Sequence, residues 1–131
     1  MQNRIEKLPF MDWRQLPAVI AGLDINLMPL ENSLFHWCKS ENKWTEAALV
    51  KVPSVMSRNC EMEYVVENGK DGWMCTTKEE WVNALEALVT DEKARKAMGE
   101  AAHQKVMEHY LTVNTGKDAM EELLCSESYT K

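Results

Sequence analysis

Short apolar runs and helical periods alternate along this chain, and that alternation limits the fold more than any single motif. "RIEKL" (4–8) is strand-like, and in the following "WRQLPAVIAGL" (13–23) Leu16, Val19, Ile20 and Leu23 share one helical face. Asp12 offers an N-cap, but Pro17 is then late for a first-turn proline, which moves the expected helix start towards Arg14. "DINLMPL" (24–30) is apolar enough for a strand covered on both faces, and "VPSVMS" (52–57) is the next strand, with Pro53 near its start. Between them "KWTEAALVK" (43–51) is helical, with Trp44, Ala47 and Ala48 turned to the sheet.

"CEMEYVVENG" (60–69) reads as a short helix closed by Gly69, and "DGWMCTT" (71–77) as a turn and a small strand. Thr77 and Glu80 form a capping-box pattern ahead of a helix striped by Trp81, Leu85 and Leu88. A longer helix follows over 91–112, with Gly99 as its expected kink, and "KDAMEELL" (117–124) is one more short helix. The order β-α-β-α-β-α-β-α-α-α implies right-handed crossovers and an α/β fold, half of a doubly wound domain, with a mostly parallel sheet between helices.

Composition narrows the function. A length of 131 residues is one domain's worth, or one piece of a larger enzyme, and buries about two-thirds of its unfolded surface. A net charge of −6 argues against nucleic acid as a partner. An anionic ligand must therefore meet local cations or backbone N–H groups. The longest apolar stretch, "LPAVIAGLDINLMPL", is too short and interrupted to span a bilayer. Cys38, Cys60, Cys75 and Cys125 show no C-x-x-C spacing and read as free thiols of a reducing, cytoplasmic compartment. His36 and Cys38 flank Trp37, but two ligands do not make a zinc site, and no metal is expected.

One segment is chemically unusual. "ENSLFHWCKSENK" (31–43) is long for a strand-to-helix connection and ends where a helix begins. Free N–H groups and about half a positive charge at that helix start would suit an anion such as phosphate, with Lys39 and Lys43 as added cations. Glu46, about one turn in, is placed to accept hydrogen bonds from a diol. The competing reading is that Ser40 or Asn42 caps the helix and the charges solvate a surface. Trp37 is the one tryptophan kept as a substrate platform, "NGKDG" is a turn, and the nine methionines are gap-fillers.

Taken in order, "MDWRQLPAVIAGLDINLMPL", "KSENKWTEAALVKVPSVMS", "YVVENGKDGWMC" and "EEWVNALEALVTDEKARKAMGEAAHQKVMEHY" resemble the C-terminal half of GT-B glycosyltransferases of the retaining family 4. The "KSENKW" block is most similar to bacterial members that build surface polysaccharides. The resemblance implies a partial Rossmann-like donor domain over 1–112, truncated on its N-terminal side, and a crossover tail over 113–131. The parent enzyme would transfer sugar from a UDP- or GDP-linked donor with retention, without a cofactor, from the cytoplasm or the membrane periphery.

The resemblance gives Glu46 the second acidic place of an E-x7-E motif, on the donor ribose. Lys39, Ser40 and Glu41 would face the diphosphate with Asn42 and Lys43 beside them, and Pro9 and Phe10 would lie near the base. Cys38 stands where the first acidic residue belongs, so the motif is half present. No catalytic residue is assigned. An N-terminal GT-B domain would be missing from this chain, which alone is expected to be inactive. An unpaired sheet edge is expected to favour a homodimer. The alternatives are a non-catalytic α/β binding or interaction module and a flavodoxin-like or receiver-like domain, against which it counts that a receiver needs clustered acidic residues and only Asp24 is available.

Overall fold

A computed structural model describes residues 4–116. Three parallel strands, β1 (Asn26–Met28), β2 (Ser54–Ser57) and β3 (Trp73–Cys75), stand side by side in the order β1-β2-β3. The register pairs Met28 with Met56 and Met56 with Met74, so one row of methionines crosses a single sheet face. On that face α3 (Asn42–Leu49), α4 (Cys60–Val65) and α6 (Glu92–His109) supply Trp44, Ala48, Met62, Ala102 and Val106. The opposite face sets Val55 and Cys75 against Ala84 and Leu88 of α5 (Lys78–Thr90). Helices therefore cover both faces, as the alternating pattern requires. Trp44, Ala47 and Ala48 are fully buried, as their helical spacing predicts.

Several details differ from the sequence reading. "RIEKL" is not a strand: β1 pairs only with β2, and a strand forms only where a neighbour supplies its hydrogen bonds. Asp12 caps a 3-10 turn, Trp13–Gln15, through a bond from the Arg14 N–H. The helix proper, α1 (Leu16–Ala21), then starts with Pro17 in its first turn, where a missing N–H costs nothing. Its apolar stripe is only partly covered at Leu16, Val19 and Ile20, and none of its residues is fully buried. The 31–43 connection contains a turn of helix, α2 (Leu34–Trp37), capped by Ser33.

Helix α4 is capped by Asn59 and ends at Val65, and Gly69 turns the loop beyond it at φ 85° rather than closing the helix. Helix α6 is unbroken through Gly99. A Cβ there would lie 2.1 Å from the Lys51 carbonyl oxygen, so the glycine admits close packing and not a kink. The capping box at Thr77 forms with both of its bonds. The helix expected over 117–124, and Cys125, lie outside the described residues.

Candidate functional site

Helix α3 enters from the connection after β1. Glu41 occupies its N-cap position and makes no side-chain cap; neither Ser40 nor Asn42 supplies one. The first amide to bond inside the helix is that of Thr45, to the Glu41 carbonyl at 3.0 Å. The N–H groups ahead of it have no side-chain cap among the described residues, so the expected cap by Ser40 or Asn42 does not form.

The eight candidate residues do not form one enclosed pocket. Lys39, Ser40, Asn42, Lys43 and Glu46 are exposed, and Glu41 is partly covered. Lys39 is steered by α2, its Nζ lying 4.2 Å from the centre of the Phe35 ring. The Lys43 carbonyl accepts a bond from Asn26 Nδ2, tying the helix start to β1. Cys38 is exposed and its N–H closes α2. Tyr110 meets Trp44 edge-on at 6.0 Å, and its hydroxyl pKa is raised by burial and by the carboxylates of Glu41 and Asp71. Pro9 and Phe10 lie apart, in an open apolar groove of about 680 Å³ shared with Trp13, Leu16 and Val19. Helix α1, which carries Leu16 and Val19, packs on α3.

Behind α3 a buried knot fixes its orientation. The Asp71 carboxylate accepts bonds from the Glu67 N–H and from Lys105 Nζ, both at 2.8 Å. Its carbonyl takes the Trp44 indole N–H at 2.9 Å. One residue of the turn thus holds α3, α6 and the approach to β3, a role that "NGKDG" alone does not announce.

Sequence reasoning also passed over Arg58 and Asn59. They line a cleft of about 260 Å³ beyond the carboxyl ends of β2 and β3, together with Trp37, Glu63 and Thr76. That is where ligands collect in open parallel sheets. The signal available was the "SRN" directly after an apolar strand. Among the described residues no group of His, Cys, Asp and Glu could hold a metal ion, and no helix is long and apolar enough to cross a membrane.

Comparison with solved structures gives the C-terminal domain of a glycosyl transferase group 1 family protein (LpcC) from Francisella tularensis. The identity is 18% and the TM-score 0.61, over 80% of this chain and 53% of that one. Anabaena Alr3699/HepE, in complex with UDP and glucose, aligns at 17% identity and TM-score 0.64, over 82% of this chain and 29% of that one. The likeness shows a shared α/β fold, and the chain spans about half of the first and under a third of the second. No curated protein matches the sequence. A family model described as "Glycosyl transferases group 1" matches residues 1–91, more than half of the chain. On that match the chain belongs to the group 1 glycosyl transferases.

Proposed function

We propose that this chain is the donor-binding portion of an enzyme that transfers sugar from a UDP- or GDP-linked donor with retention, in bacterial glycan synthesis. The observation that carries the reading is the uncapped start of α3, with Lys39 and Lys43 beside it and Glu46 one turn on. The diphosphate would accept bonds from the free N–H groups, and Glu46 would take the ribose hydroxyls. As the bond to the sugar breaks, charge grows on the diphosphate, and the helix dipole and lysines stabilise it there. The solved neighbour with UDP and glucose supports this class of ligand.

The rest of the active site would come from a further GT-B domain, in keeping with the partial coverage of both neighbours. Alone, this chain would bind nucleotide weakly and transfer no sugar. The parent enzyme would work in the cytoplasm or at the membrane periphery, and the bare edge of β1 would take up a second copy when nothing else covers it.

The test is titration of labelled protein with UDP and GDP, following the amides of 38–46. Shifts confined to this segment are expected. Glu46→Gln should weaken binding about tenfold, the scale of one hydrogen bond to a charged group, without changing the melting temperature of so exposed a site. A flat titration at millimolar nucleotide would sink the reading.

A further inference from the structure

We infer that Cys38 and Cys60 are a thiol pair that closes reversibly to a disulfide, a modification site that stands whether or not nucleotide binds at α3. Cys38 closes α2, Cys60 is the first residue of α4, and both are exposed. The residues on either side of Cys38 bring these two element ends together. The Lys39 N–H donates to the His36 carbonyl at 3.3 Å, and Asn59 Nδ2 donates to the same oxygen at 3.4 Å. Trp37 and Cys60 line one cleft of about 260 Å³. The chain at 37–39 is therefore held against the chain at 59–60.

A disulfide requires Cα atoms about 4.4–6.8 Å apart. Helix α2 is a single turn with Leu34 and Phe35 exposed, so little packing resists a shift that brings Cys38 into that range. A helix so short has little stability of its own to lose. Cys75 stands apart from this chemistry. It is buried, and burial pushes its thiol pKa up, so it keeps its proton and is shielded from attack.

Glutathione disulfide is a sufficient oxidant. One cysteine thiolate attacks it, forms a mixed disulfide and releases a first glutathione. The second thiolate attacks the protein sulfur of that bond, forms the Cys38–Cys60 bridge and releases a second glutathione. The two thiol protons end on the two glutathione molecules, and the two electrons lost by the cysteines reduce the oxidant. A reducing compartment keeps such a pair open, and an oxidising turn of the poise closes it.

The test uses the labelled 131-residue chain carrying Cys125→Ser, equilibrated with reduced and oxidised glutathione at graded ratios and quenched with acid. Expected is a monomer lighter by about 2 Da, the mass of two hydrogens. Its tryptic peptides 15–39 and 59–70 should be joined. The amides of 36–40 and 59–61 should shift together on oxidation while those of α5 stay in place. Closing this loop should raise the melting temperature by about 5 °C or more. Cys38→Ser and, independently, Cys60→Ser should each stop at a mixed disulfide with glutathione, and unchanged melting of their reduced forms reports that they are folded. If both thiols end as mixed disulfides or in bridged dimers, the inference is overturned. A bridge that includes Cys75 overturns it too.

Discussion

Asp71 is the residue on which most of the interior depends, because its carboxylate is almost wholly buried yet holds Lys105 at 2.8 Å. Removing one partner of a buried ion pair usually costs about 3–5 kcal/mol, because the other charge is stranded. Lys105 retains some solvent contact, so Asp71→Asn should cost less, about 2 kcal/mol, read as a fall in melting temperature of roughly 8 °C. The Trp44 bond goes to the backbone and survives the change, so Trp44 fluorescence should move little. An unchanged melting temperature would show that the pair contributes nothing.

At the scale of elements, α5 shows how much local chemistry fixes. Thr77 accepts from the Glu80 N–H at 3.2 Å, and the Glu80 carboxylate accepts from the Thr76 and Thr77 amides. Losing the threonine cap, Thr77→Ala, should cost about 1 kcal/mol in denaturant unfolding. Those amide bonds hold the Glu80 pKa below its ordinary value. The stabilisation from Glu80 is therefore complete above the ordinary glutamate pKa and is lost as pH falls through the lowered one. The stability gap between wild type and Glu80→Gln should be full at neutral pH and close in acid; a gap independent of pH would contradict it.

This capping box was legible because all its parts lie within four residues, as were the buried row of Trp44, Ala47 and Ala48 and the three central strands. "RIEKL" was misread because a short strand-like run cannot say whether a pairing strand is present. Gly99 was misread because its reason, the Lys51 carbonyl, lies far away in sequence. At the site, the position of the helix start was legible, but a cap by Ser40 or Asn42 was an open expectation that the fold does not bear out. The cleft at Arg58 could not be read, because it joins residues from separate elements and loops.

For the molecule as a whole, the two sheet edges differ. In β1, Asn26 and Met28 turn their peptides to β2, so the Leu27 N–H and C=O face outward. Leu27 is half exposed there, and exposed Leu8, Phe10, Trp13, Leu34 and Phe35 come from the segments before and after β1 in the chain. On β3 the outward N–H, that of Met74, is taken by Asn68 Oδ1 at 2.7 Å. If β1 recruits a second copy, light scattering should show mass rising with concentration. Leu27→Pro should hold the protein monomeric, since that N–H is not used by β2 and proline is tolerated on such an edge. A monomer at every concentration in the wild type would remove the idea. The Asn68 plug also has a bearing on aggregation. Two copies joined β1 to β1 about a twofold axis would have only plugged edges left, so growth would stop at the pair instead of running on into fibres. Asn68→Ala would then be the change that turns a closed pair into an open-ended polymer.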